Sequence, residues 1–242
     1  MNQPAIPEHG ASQSAHESWI AALLAFTAGS TDTIGFVGLY GLFTAHVTGN
    51  FVLLGASIAE HRAGVIAKLL ALPVFIAAVA GARLFERSRA RRGASAAMPL
   101  LDAEFIFLGG FLAIGWIATP AADADAPLAI LAGFMGVLAM GIQNSLSRTA
   151  FSALSPTTVM TGNVTQLTID AVDLLAGGEP EIRGKTLARF RKMALPVVGF
   201  ACGAGAGGLG FWAFGFFAAA LPMASVLVVI LVLHSRHQLH AA

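Results

Sequence analysis

Long apolar runs broken by short polar patches set the pattern of this chain. Runs at residues 19–40, 66–85, 105–118 and 128–151 predict four helices. All but the third approach or exceed the ~20 apolar residues that a helix needs to cross a bilayer. The run at 193–233 is long enough for two more, with a tight turn near 214–217. Two other apolar stretches, 43–60 and 155–175, are interrupted by the same tripeptide, Thr48-Gly49-Asn50 and Thr161-Gly162-Asn163. Each predicts an extended piece followed by a half-helix, the first capped at Thr48 or Asn50.

Polar residues inside the runs sharpen this picture. Asp32 sits within the first span, where a carboxylate costs ~2.5–3.5 kcal/mol on insertion scales and so must face protein or water. Gln143-Asn144 lies near the end of the fourth span. Gly29 precedes Asp32 by the same interval as Gly141 precedes Asn144, and each pair is followed by its own Thr-Gly-Asn. Pro73 predicts a kink that neighbouring helices tolerate.

Composition removes the soluble alternative. The chain is 56% hydrophobic and 11% charged, against roughly 25% charged in soluble domains. Mean hydropathy is +0.75. A net charge of +1 carries no nucleic-acid signal. The lone Cys202 cannot form an intramolecular disulfide. Residues 1–18 are polar, lack a basic leader, and predict a disordered tail.

Charge placement bears on topology. Arg83, Arg87, Arg89, Arg91 and Arg92 form one basic stretch, read as a loop, and Arg183, Lys185, Arg189, Arg191 and Lys192 a second, read as a loop at 177–192. The loop at 119–127 carries Asp123 and Asp125. If the two broken segments enter and leave on one side, the chain crosses six times and every strongly basic stretch is cytoplasmic, as the positive-inside tendency asks. If they cross, there are eight spans and the basic stretches separate. Arg62 and Lys68 fall outside in the six-span arrangement, a small mark against it. The expectation is an all-α integral membrane protein: six transmembrane helices in two inverted three-helix repeats, each with a broken or re-entrant half-helix. The repeats occupy 19–119 and 120–235; tails at 1–18 and 236–242 are both cytoplasmic.

With Gly29 to Asp32, Thr48 to Gly55, Gln143-Asn144 and the second Thr-Gly-Asn in place, the chain resembles the YoaK family of bacterial inner-membrane proteins, a domain of unknown function. The resemblance runs from Trp19 to His234. It implies a six-helix protein of the bacterial inner membrane and no particular activity.

Broken backbone at membrane depth occurs only where it is buried in protein or lines a wet cavity. Two half-helix ends entering from opposite faces would meet near the midplane. The candidate substrate-binding residues are therefore Asp32, His46, Thr48, Gly49, Asn50, Gln143, Asn144, Thr161, Gly162 and Asn163. The alternative is that Thr-Gly-Asn merely lets the chain turn. Gly199, Gly203 and Gly207 make a smooth helix face for internal packing or, less simply, for a homodimer seam. His234, His237 and His240 have no carboxylate or cysteine beside them, so no metal is expected. No cofactor is expected, and neither a serine–histidine context nor a phosphate loop points to catalysis. The expected function is a permease for a small polar solute or ion, with the lipid bilayer as its surroundings and no nucleic acid. The alternative is a non-transporting membrane protein that acts by packing on a partner or on itself.

Overall fold

The computed structural model describes residues 8–61, 63–119 and 123–241. Its elements are α1 (Glu8–Gly38), α2 (Gly49–Ala59), α3 (Val65–Ala90), α4 (Ala97–Ala118), α5 (Pro127–Arg148), α6 (Met160–Ala176), α7 (Pro180–Phe214), a 3-10 turn (Gly215–Ala219) and α8 (Ala220–Ala241). No strand occurs among the described residues. Five stretches are long and apolar enough to cross a membrane, and the last of them, Pro180–Arg236, comprises α7, the 3-10 turn and most of α8. At 11 residues α2 is about 17 Å long, little more than half the ~30 Å of a hydrocarbon core.

Several boundaries differ from those expected. Residues 1–7 of the predicted tail lie outside the described residues, but the stretch from Glu8 onward is already helical. The third span starts at Ala97. Of the two basic stretches read as loops, the first is helical as far as Ala90, with Arg87 and Arg89 in the last turn of α3. The second is helical from Pro180, with Pro in the first turn and Glu181 beside the free N–H groups. Arg189 explains why it belongs to the bundle: its guanidinium holds the buried carboxylate of Asp170 on α6 at 2.5–3.0 Å. Helix α8 continues through the expected C-terminal tail. The turn predicted near 214–217 is the 3-10 turn, where Gly215 takes φ 57°.

The closest packing joins α1 to α7. A Cβ on Gly199 would lie 2.4 Å from the Ala22 carbonyl oxygen, one on Gly203 2.2 Å from that of Phe26, and one on Gly207 2.7 Å from that of Ser30. Both sets of numbers ascend together, so the two helices run parallel. The glycine face is therefore filled by α1 of the same chain and is not a free seam for a second copy. Hydroxyls on the α1 side are satisfied within the helix: Ser30 donates to the Phe26 carbonyl at 2.8 Å and Thr31 to that of Thr27 at 2.8 Å.

Around this pair, one apolar cluster gathers Leu24, Leu101, Leu108, Met140 and Val226. A second gathers Ile34, Leu42, Phe111, Val137 and Phe216. Ties at the helix ends complete the frame. Asp125 accepts from the backbone N–H of Gly64 at 3.0 Å and of Ile66 at 3.3 Å, capping α3. At the other end, Thr149 donates to Glu86, which also accepts from Arg83 at 3.1 Å. Val52, Leu84, Ile106, Leu175 and Trp212 point outward, as a lipid-facing surface requires.

Gly203→Ala should lower the unfolding midpoint in nanodiscs, by an amount on the order of 1–3 kcal/mol for a crowded methyl. Gly205→Ala, where nothing lies within 4 Å, should leave it unchanged or raise it. The Asp170 tie also makes a pH prediction. Arg189 holds the Asp170 carboxyl below its ordinary value. The pair's contribution is fully present above the ordinary aspartate pKa and is lost as pH falls through the lowered one. Thermal melts against pH should show this acid loss, and Asp170→Asn should remove it.

Candidate functional site

The chain between α1 and α2 does not form a helix, so its N–H groups need acceptors in an apolar setting. Asp32 supplies them. Its Oδ1 accepts from the backbone N–H of Thr44 at 2.8 Å, Ala45 at 2.7 Å and His46 at 3.4 Å. Its Oδ2 faces His46 Nδ1 at 2.6 Å. A carboxylate only accepts, so that ring nitrogen carries the proton. Asp32 is buried while the His46 side chain is 39% exposed. The loop thus folds back along α1, stitched to it by one carboxylate.

Asn50 makes the second stitch. Its Nδ2 donates to the Phe43 carbonyl at 2.8 Å and its Oδ1 accepts from the Phe43 N–H at 2.9 Å. This corrects the expected cap: Thr48 is the N-cap residue but makes no side-chain cap bond, and Asn50 reaches back into the loop instead of capping. The second tripeptide repeats the device. Asn163 Nδ2 donates to the Pro156 carbonyl at 2.6 Å, over the same separation of seven residues. It makes one bond there rather than two because proline has no N–H.

The polar patch of α5 does for the second loop part of what Asp32 does for the first. Asn144 Nδ2 donates to Thr158 Oγ1 at 2.8 Å. Gln143 Nε2 reaches both Thr157 Oγ1 at 3.0 Å and the Leu24 carbonyl of α1 at 2.8 Å. Asn144 and Gln143 therefore hold hydroxyls, whereas Asp32 holds main-chain N–H groups.

Two cavities flank His46. One of about 510 Å³ is bounded by Asp32, Phe36, Phe43, His46, Thr48, Gly49 and Phe200. Phe43 and Phe200 set their ring edges against the imidazole, with centroids at 6.0 and 5.6 Å. The other, of about 340 Å³, is bounded by His46, Thr48, Leu72, Phe75, Asn144, Thr158 and Thr161. His46 and Thr48 belong to both walls. A third cavity of about 410 Å³ shares Phe36 with the first and includes Lys68. The Lys68 ammonium is buried and donates to the carbonyls of Tyr40 at 2.9 Å and Gly64 at 3.2 Å.

The ten predicted residues therefore divide. Asp32, His46, Thr48 and Gly49 line the first cavity; His46, Thr48, Asn144 and Thr161 line the second. Asn50, Gln143 and Asn163 are buried and hold backbone or side-chain groups behind the walls. Gly162 opens onto free space. Sequence reading missed Phe36, Phe75 and Phe200, which look like any apolar residue of a span. It also missed Thr158, whose signal was its place before the second tripeptide. Glu104 is fully buried on α4 with no hydrogen-bond partner and lines none of these cavities. His46 lies outside the five long apolar stretches. Among the described residues, no group of three His, Cys, Asp or Glu side chains could hold a metal ion.

Comparison with known proteins gives a concordant family match. The model of the family described as "Protein of unknown function (DUF1275)" matches residues 20–233. The chain is 31% identical over 157 residues to "UPF0700 transmembrane protein YoaK" of Bacillus subtilis (strain 168), covering 64% of this chain and 68% of that protein. No solved structure matches.

Asp32→Ala should destabilise the protein by about 3 kcal/mol or more, since several buried N–H groups lose their acceptor together. Asp32→Asn, with one oxygen left, should cost less. Asn50→Ala, losing two bonds, should cost more than Asn163→Ala, losing one. Thermal unfolding with hydrogen exchange at the amides of residues 44–46 checks all three.

Proposed function

Because the chain belongs to the DUF1275 family and is a multi-pass membrane protein, we propose that it is a permease for a small polar solute or ion. The observation that carries this reading is the shared cavity. His46 and Thr48 come from the first break in the chain, Asn144 and Thr161 from the second half, and all four meet around one space. A polar break that only let the chain turn would have no reason to face its counterpart across a cavity.

On this reading the two halves form an inverted repeat with re-entrant breaks. Its support is the pairing of matched contacts. Gly29 of α1 packs on the Phe200 carbonyl of α7, and its counterpart Gly141 of α5 packs on Ala78 and Phe75 of α3. Asn50 and Asn163 make the same backward clamp. The bonds from Asp32 to residues 44–46, and from Asn144 to Thr158, fit loops that dip back beside the helix they have just left. The basic stretches then fall on one side, with both termini cytoplasmic and the protein in the bacterial inner membrane. Catalysis has no part in this reading. The rival reading, a scaffold acting through its glycine face, is disfavoured because α1 occupies that face.

Reconstituted into proteoliposomes, the full chain should exchange at least one labelled solute from a panel of small polar molecules and ions. Asn144→Leu and Thr161→Val should each lower that flux about tenfold or more, by removing a polar group at nearly constant shape, an effect on the order of 1.4 kcal/mol. A panel with no flux above empty vesicles, or variants as active as the parent chain, would sink the proposal.

A further inference from the structure

The cavity between the two breaks has a one-sided charge character. Its wall contains one ionisable side chain, His46, and no carboxylate. Asp32 stands behind the imidazole and is already engaged by three backbone N–H groups and by Nδ1. No free carboxylate oxygen of the wall is offered to a cation. Hydroxyls of Thr48 and Thr161 and the amide of Asn144 supply neutral polar contacts. The α3 side contributes only Leu72 and Phe75. A space of about 340 Å³ equals roughly ten water volumes at ~30 Å³ each, which suits a solute of a few heavy atoms.

We propose that this cavity binds a short-chain organic monocarboxylate together with one proton, which His46 carries on Nε2. The proposal rests on the permease reading and names its solute class. Nδ1–H is committed to Asp32. Nε2 has no hydrogen-bond partner in the protein among the described residues. In the neutral ring, Nε2 carries a lone pair, which repels a carboxylate. With a proton added, it presents an N–H and a positive charge, while Asp32 balances the imidazolium from the other side. The carboxylate then pairs with Nε2–H and the neighbouring hydroxyls, and its alkyl chain lies toward Leu72 and Phe75. Other elements around the ring add no competing charge. Asp32 comes from α1, while α3, α5, α6 and α7 present Phe75, Asn144, Thr161 and Phe200. Anion and proton therefore enter as a neutral sum, which lowers the cost of moving the charge through an apolar medium.

The test uses the full chain in nanodiscs and radiolabelled propionate as probe, at constant ionic strength. Propionate should bind at least tenfold more tightly at about pH 6 than at about pH 8.5, the range over which an imidazole loses its proton. Binding in weak buffer should take up a proton. Propionamide, which has the same shape without the charge, should not compete. His46→Asn keeps an amide N–H for Asp32, so a folded variant is expected, and it should bind weakly with no pH dependence. Binding of equal strength at both pH values, binding retained in His46→Asn, competition by propionamide, or no binding at about pH 6 would each overturn the proposal. Proteoliposomes separate it from the permease reading. Proton-dependent binding without flux would uphold the site and reject transport; flux of another solute with no propionate binding would do the reverse.

Discussion

Main-chain polar groups in an apolar environment must all be paired, and a chain that leaves helical geometry there must find its partners elsewhere. That constraint governs both breaks. The loop after α1 can exist at its position because Asp32 gathers three of its N–H groups and Asn50 closes both ends of Phe43. The usual cost of a carboxylate in such a place is offset by these bonds. Without the anion the loop would hold unpaired donors, and without the loop the anion would be unpaired. Each makes the other tolerable, so neither residue set can be changed alone.

The glycines of α7 serve the same end from a distance. They bring the α7 backbone against the carbonyls of Ala22, Phe26 and Ser30, which fixes the height of α7 relative to α1. Phe200 lies in the middle of that contact and also edges against His46. The wall of the first cavity is thus set by backbone-to-backbone packing, which is stiff, rather than by side chains that could turn. The imidazole is held by a carboxylate on one nitrogen and by ring edges on its flanks, which leaves the second nitrogen the only free polar atom of the ring.

Much of the helical architecture was legible from the length and spacing of the apolar runs. Long apolar runs gave the spans, and the repeated Asp/Asn and Thr-Gly-Asn pair led to the residues that meet around the cavities. One error came from treating charge as a sign of loop. The stretch from Pro180 is rich in Arg and Lys yet helical, because Arg189 has Asp170 as a partner on α6, and a partner on a neighbouring helix leaves no trace in a one-dimensional reading. The roles inside the tripeptide were misjudged for a related reason. Threonine and asparagine both cap helices, so a cap was expected, but the bond that forms runs seven residues backward. Aromatic walls such as Phe200 were invisible, since in an apolar chain one more phenylalanine is no signal.

The two halves differ where chemistry is concerned, and the differences point one way. Where the first half has Asp32 and His46, the second has Asn144 and Val159. Phe43, held by two bonds, is answered by Pro156, held by one. A scaffold needing only closed loops could use the neutral solution twice, since amides and hydroxyls satisfy the second break without any charge. The first break is held by a carboxylate all the same, and its ionisable pair stands where the two cavities share a wall. An ionisable residue at membrane depth is a functional candidate by default. Here the position of His46, bonded behind and open in front, suits a group that changes its proton while the loop beneath it stays in place.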